Sequence, residues 1–227
     1  MEAFVTIDFH SHILPHCDDG SKNLDTSLEM IEMARDEGIE CICSTSHFYP
    51  QRESIDKFLK RRDQCYEALA ENLFPDDPQI LLGAECLLCD GLHKLPDLKR
   101  VTLDECGILL VEMPFMRWSD SMFSTFEGLV MRSELHPILA HADRYHPDDV
   151  ERLFHMDVPV QLNVEAFNSL RIKKEYLEWI KDGRVLALGS DIHRTDPGYD
   201  LWAKARKKLG SYWEEIMLRT EEFINRY

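Results

Sequence analysis

Residues 4–12 read Phe4-Val5-Thr6-Ile7-Asp8-Phe9-His10-Ser11-His12. Phe4–His10 is rich in β-forming residues, and on an extended chain the i, i+2 spacing of His10 and His12 aims both imidazoles to one side. The same pattern, an apolar strand ending in metal-type side chains, recurs along the sequence. Cys41–Ser46 is short and nearly all apolar and runs into Ser46-His47. Further strands are predicted near 79–85, 108–112, 137–141, 158–164 and 184–190. They close on Gly83-Ala84-Glu85, Leu110-Val111-Glu112, Leu139-Ala140-His141, Asn163-Val164-Glu165 and Ser190-Asp191-Ile192-His193.

Helical periodicity fills the intervals. A helix near 25–37 carries Asp25 as its expected N-cap and Gly38 as its stop. The helix near 53–74 has one apolar face, Ile55, Phe58, Leu59, Cys65, Tyr66 and Leu69, interrupted by Arg62. Others are predicted near 121–134, 147–156, 173–182, 199–209 and 211–226, with Pro147 opening and Gly183 closing two of them. Seven apolar strands alternating with helices argue for an α/β fold with a parallel sheet buried on both faces. An open doubly wound sheet usually cradles a nucleotide in a Gly-rich first turn, and the chain has neither G-x-G-x-x-G nor G-x-x-x-x-G-K-[ST]. A (β/α) barrel places its chemistry at the C-terminal ends of several strands, which is where these polar groups fall.

The 227 residues are expected to form a single domain spanning 1–227, large enough to bury a core without disulfides. With 44% hydrophobic and 30% charged residues the composition is that of an ordinary globular protein. No apolar run reaches the ~18 residues of a membrane span, and Met1-Glu2-Ala3-Phe4 lacks the basic start of a signal peptide, so no membrane insertion and a cytoplasmic location are expected. The formal net charge is −16, and residues 171–227 are slightly basic, so the acidic excess lies in residues 1–170. Such a surface repels nucleic acid and anionic membranes. Bound divalent ions can still create a cationic site within it. The seven cysteines fit reduced core thiols, and Cys86-x2-Cys89 has no second pair to complete a zinc site.

Nine residues are candidate metal ligands: His10, His12, Asp19, His47, Glu85, Glu112, His141, Asp191 and His193. Imidazole and carboxylate without thiolate suit Mn²⁺, Fe²⁺ or Zn²⁺ in an open catalytic site, and nine donors exceed what one ion takes, so two or three ions are implied. A lone strand-end His or Glu is more often a hydrogen-bonded polar group than a ligand. The reading therefore leans on the pairs His10-x-His12 and Asp191-x-His193. Asp18 and Asp19 could equally shape a turn. Glu165, His16, His93, His136, His146 and His155 are read as surface or supporting groups. A cysteine phosphatase needs Cys-x5-Arg, and none of the positions six beyond a cysteine is Arg. The G-x-S-x-G elbow of serine hydrolases is also missing.

Asp8-Phe9-His10-Ser11-His12-Ile13-Leu14-Pro15, Asp18-Asp19-Gly20, Ser46-His47, Gly83-Ala84-Glu85, His136-Pro137 through His141 to Arg144-Tyr145, and Ser190-Asp191-Ile192-His193-Arg194 together resemble the polymerase-and-histidinol-phosphatase (PHP) superfamily. Within it the chain is most similar to the bacterial manganese-dependent tyrosine phosphatases of capsule and exopolysaccharide clusters. The resemblance implies a distorted seven-stranded (β/α) barrel with a trinuclear site. It assigns His10, His12, Glu85 and Asp191 to one ion, Glu85, Glu112 and His141 to a second, and Asp19, His47 and His193 to a third. Arg144 matches the arginine that meets the phosphate. The implied substrate is a phosphotyrosine protein, typically the tail of a partner tyrosine autokinase. His16-Cys17 and Ala142-Asp143 depart from the family pattern at positions expected to rim the mouth.

The expected chemistry is phosphomonoester hydrolysis by a metal-bridging hydroxide, with Arg144 on the phosphate and His47 or His193, where not ligating, as a source of protons. Arg117 and Arg194 are weaker phosphate candidates. Competing readings are a small-molecule phosphatase acting on histidinol phosphate or a sugar phosphate, an amidohydrolase whose bridging lysine would have to come from Lys94 or Lys99, and a catalytically silent metal-binding regulator of a kinase.

Overall fold

The computed structural model describes residues 4–227. The signal-peptide reading of Met1-Glu2-Ala3 lies outside them. In chain order the elements are β1 (Ile7–Ser11), α1 (Leu24–Asp36), β2 (Cys41–Ser44), β3 (His47–Phe48), α2 (Ile55–Ala70), β4 (Gln79–Leu82), β5 (Glu85–Leu87), β6 (Ile108–Glu112), α3 (Asp120–Val130), β7 (His136–Leu139), α4 (Pro147–Phe154), β8 (Val160–Asn163), α5 (Lys174–Lys181), β9 (Val185–Gly189), α6 (Asp200–Leu209) and α7 (Ser211–Arg226). The helices start where short polar side chains satisfy free N–H groups: Asn23, Ser54 and Ser119 accept from Thr26, Lys57 and Met122. The cap of α1 is thus Asn23 rather than the expected Asp25, which lies in the first turn. Gly38 and Gly183 follow α1 and α5 with φ of +74° and +71°, the left-handed turn that glycine adopts without strain.

All strand pairs are parallel, as expected, but the seven expected strands are nine, in two sheets ordered β1-β2-β4 and β3-β5-β6-β7-β8-β9. The second and third predicted strands each break in the same place along their length, at Thr45-Ser46 and Gly83-Ala84. Across the break Gly83 N–H donates to Ser44 O at 2.9 Å and Glu85 N–H to Thr45 O at 3.0 Å, so the chains step from one sheet to the next without stranding their amides. At the other edge Asp191 N–H donates to His10 O at 2.7 Å and His12 N–H to Ile192 O at 3.1 Å.

A smaller apolar core gathers Ile7, Phe9, Cys43, Leu110, Ile138 and Ala187 from both sheets, with Phe223 and Ile224 of α7 against it. The larger core joins strand residues such as Ile42, Val111 and Leu162 with helix residues such as Met30, Phe126 and Trp179. Arg62, the polar interruption of α2, is buried and pairs with Asp63 at 2.8 Å. The register of β1 against β2 slips between Asp8 and Ser11. That bulge breaks strict alternation, so Phe9 joins the smaller core while its neighbour His10 reaches the polar cluster at the strand ends.

Candidate metal centre

The nine candidate ligands gather at strand ends, at the breaks after β2 and β4, and in the loop after β1. His10 and His12 leave β1, His47 opens β3, Glu85 opens β5, Glu112 ends β6, and His141, Asp191 and His193 follow β7 and β9. His10, His12, Glu85 and His141 are essentially inaccessible, whereas Asp19 is exposed. His141 and Asp191 have φ of +31° and +53°, and strain of this kind, of order 1–3 kcal/mol each, persists only where the surroundings enforce it. Two glycines make room. A Cβ at Gly20 would collide with His12, and one at Gly189 would stand 2.5 Å from the Cβ of His10.

The hydrogen bonds fix the ring orientations. His10 Nδ1–H donates to Gln161 Oε1 at 3.1 Å, and His12 Nδ1–H donates to Asp18 Oδ2 at 2.9 Å. With both protons placed there, the Nε2 lone pairs of the two rings face each other at 3.1 Å. Glu85 Oε2 lies 3.3 Å from each, and Asp191 Oδ1 3.5 and 3.4 Å from His10 and His12. Gln161 also accepts the His141 N–H at 2.7 Å and donates to Asn163, whose amide donates to Asp191 Oδ2 at 3.1 Å. Arg144 Nη2 meets the same oxygen at 2.6 Å.

Around this point lie two further clusters. His12, Asp19, His47 and His193 present donors within 4.8 Å of one another, as do His47, Glu85 and Glu112. His141 Nε2 is 2.7 Å from Glu85 Oε1 and 3.9 Å from Glu112 Oε1. His12 thus lies both with His10 and Glu85 and with Asp19, His47 and His193, and His47 lies with Glu85 and Glu112 as well.

Electrostatics agree with a cation-binding set. Burial opposes charge on Glu85, yet His10, His12 and His141 around it hold its pKa well below the usual carboxylate range. Asp191 is likewise held low against burial by His10, His12 and Arg144. Burial and the neighbouring Glu85 raise Glu112, and burial together with His12 lowers His193. Glu85 Oε2, His47 Nδ1 and His141 Nδ1 are buried and have no hydrogen-bond partner among the described residues. Burial opposes a proton on His10 and His12, yet Glu85 and Asp191, with Asp18 beside His12, raise the pKa of both rings, so the facing Nε2 atoms and Glu85 Oε2 make a set that favours a shared cation. The donor set therefore fits divalent metal ions, and it contains no sulfur: all seven thiols are free and outside the three clusters.

Other candidates fall elsewhere. Glu165 is exposed on the turn after β8, in a cleft of about 420 Å³ that it lines with Arg144, Asp191, His193 and Arg194. Arg117 pairs with Asp149 at 3.0 Å. Lys94 and Lys99 sit exposed on 3-10 turns. Of the four departures expected at the rim, only His16 stands out in solvent. Cys17 and Ala142 are buried, and the Asp143 carboxylate is turned inward to accept the Asn163 N–H at 2.8 Å. Gln161, Asn163 and Asp18 carry the orientation of the site and were not among the sequence candidates. The only sequence signal for them was polarity in otherwise apolar strands and the duplicated Asp18-Asp19.

Residues 6–219 match the family model described as capsular polysaccharide synthesis, CpsB/CapC. Tyrosine-protein phosphatase CpsB of Streptococcus agalactiae serotype V is 29% identical over 217 residues, covering 88% of each chain. CpsB of Streptococcus pneumoniae is 27% identical over 225 residues, covering 87% of this chain and 90% of the relative. A solved structure from a study of Bacillus subtilis YwqE and Streptococcus pneumoniae CpsB, described as metal-dependent tyrosine phosphatases, superposes with a TM-score of 0.78. It is 23% identical and covers 97% of this chain and 94% of the other, which establishes the shared fold. The chain belongs to the CpsB/CapC family.

Proposed function

We propose, from this membership and the donor cluster, that the protein is a metal-dependent phosphomonoester hydrolase acting on phosphotyrosyl proteins in capsule or exopolysaccharide regulation. The observation that carries the reading is the pair of facing Nε2 atoms of His10 and His12, 3.1 Å apart and ringed by Glu85 and Asp191, with Arg144 at the edge. The relatives' names as tyrosine-protein phosphatases supply the substrate class. The preferred ions are Mn²⁺, with Fe²⁺ and Zn²⁺ as chemically similar substitutes. The partner is a tyrosine autokinase, and the compartment is the cytoplasm. The two sheets are read as the wall of one distorted seven-stranded barrel, supported by the backbone bonds that join β9 to β1 and cross the Thr45-Ser46 break.

His10, His12, Glu85 and Asp191 would hold one ion, with Glu112, His141, Asp19, His47 and His193 sharing the others. Bound there, divalent ions supply charge neutralisation at the phosphoryl group and make water acidic enough to attack at neutral pH. Arg144 leaves one lobe of its guanidinium for the non-bridging phosphate oxygens while Asp191 orients the other. A tyrosyl leaving group, with a pKa of about 10, needs little protonation to depart. His193 or His47, whichever does not hold an ion, would take up and return the proton at the open side of the cluster. His12→Ala and Asp191→Ala test the reading: each should cut hydrolysis by well over about tenfold, and survival of more than a tenth of the activity in both sinks it.

A further inference from the structure

The loop after β6 reads Met113-Pro114-Phe115-Met116-Arg117-Trp118. Its two flanks are anchored. Met113 N–H donates to Tyr145 Oη at 2.9 Å, and Tyr145 Oη donates back to Met113 O at 3.0 Å. On the far side Trp118 is buried edge-on against Tyr145, and Arg117 pairs with Asp149. Between these anchors Phe115 and Met116 are 62% and 63% exposed, the only adjacent pair among the exposed large apolar residues of the described chain. Phe115 is not displaced onto bare surface. Its ring stacks at 5.7 Å and 22° on His141, a member of the donor cluster, and at 5.6 Å and 26° on Tyr145.

We infer that Phe115, backed by His141 and Tyr145, is the platform on which the aromatic ring of an aryl phosphate lies while its phosphate enters the cluster. The inference rests on the phosphatase reading and names the element that selects its substrate. Tyr49, half-buried and stacked on His47 at 5.2 Å, is a second ring beside the cluster, but Phe115 leaves more of its surface open to water and is the apolar group there that a leaving group can cover most fully. An aromatic ring covers it best, since offset stacking adds to the area removed from water. Anchoring at Met113 and Trp118 means the platform is preorganised, so little ordering entropy opposes the stack. Alkyl phosphates would gain no stack from it.

The test compares wild type, Phe115→Ala and Phe115→Trp on phenyl phosphate and ethyl phosphate, with Mn²⁺ present. Phenylphosphonate and methylphosphonate serve as a non-hydrolysable pair for calorimetry. Phe115→Ala should lower kcat/KM for phenyl phosphate about fivefold, mainly through KM, with ethyl phosphate changed less than about twofold, and Phe115→Trp should restore the preference. The phosphonates should show the same selective loss in affinity. An equal change for the aryl and alkyl members, or none, overturns the platform. If wild type hydrolyses neither ester the phosphatase reading falls instead, and the phosphonate pair still decides for or against the platform.

Discussion

His10 Nε2 and His12 Nε2 stand 3.1 Å apart, each turned toward the other because its own Nδ1 proton is committed elsewhere, to Gln161 in one case and Asp18 in the other. The metal-binding form of the site is thus set by two residues that hold no metal themselves. Gln161→Leu keeps the side-chain volume but frees His10 to turn, and it should weaken metal binding about tenfold to a hundredfold. Titration of the stripped protein with Mn²⁺ measures it. Unchanged affinity would show that the ring is held by packing alone.

Among the described residues Arg144 is the one Lys or Arg paired with a carboxylate of the cluster, bonded to Asp191 through one nitrogen. Arg144→Ala should lower kcat/KM for a phosphotyrosyl peptide about a hundredfold while the metal content stays the same. Arg144→Lys should recover only part of this, because an ammonium lacks the fork that serves Asp191 and phosphate together. Steady-state kinetics beside metal analysis separate this outcome from simple loss of the ions.

Asp18 couples the site to stability. Burial works against its charge, yet His12 and the N–H groups of Gly20 and His47 hold its pKa below the usual value. The folded protein therefore binds this proton less readily than the unfolded chain. The stabilisation is present above the unfolded value of about 3.9 and is lost as pH falls through the folded one. Unfolding of chelator-treated protein, followed from pH 7 down to about pH 1.5, should show that loss beginning near pH 4 and growing toward the acid end. Asp18→Asn should be less stable at neutral pH by about 1–3 kcal/mol and flatter toward acid.

Cys17 lies beside the cluster, in a cleft with Asp18, Asp19 and His47, and invites a thiolate mechanism. Burial pushes its pKa up to about 12, so it stays a neutral thiol at working pH. Iodoacetamide at pH 7.5 should leave hydrolysis intact, and Cys17→Ser should keep activity within about threefold. Inactivation that tracks alkylation of Cys17 would contradict this and point to a thiolate step.

The strand-end donors were legible because an extended chain repeats every two residues and because a parallel sheet puts its strand ends on one side. What escaped the sequence depends on local breaks. The bulge between Asp8 and Ser11 and the paired interruptions at Thr45-Ser46 and Gly83-Ala84 leave no periodic trace, so seven strands were expected where nine form. On β8 polarity within an apolar strand did not single out Gln161 and Asn163, which face the site, whereas Glu165, read as a surface or supporting group, is exposed on the 3-10 segment that begins at Val164. Asp143 was expected at the rim for a similar reason: the left-handed His141 before it redirects the backbone inward.

The most direct measurement is phosphate release from a phosphotyrosyl peptide by chelator-stripped protein, with and without Mn²⁺, beside histidinol phosphate at equal concentration. The account predicts negligible release without metal, restoration by Mn²⁺, and preference for the peptide. Release from the peptide that is unaffected by stripping and re-adding metal would contradict it.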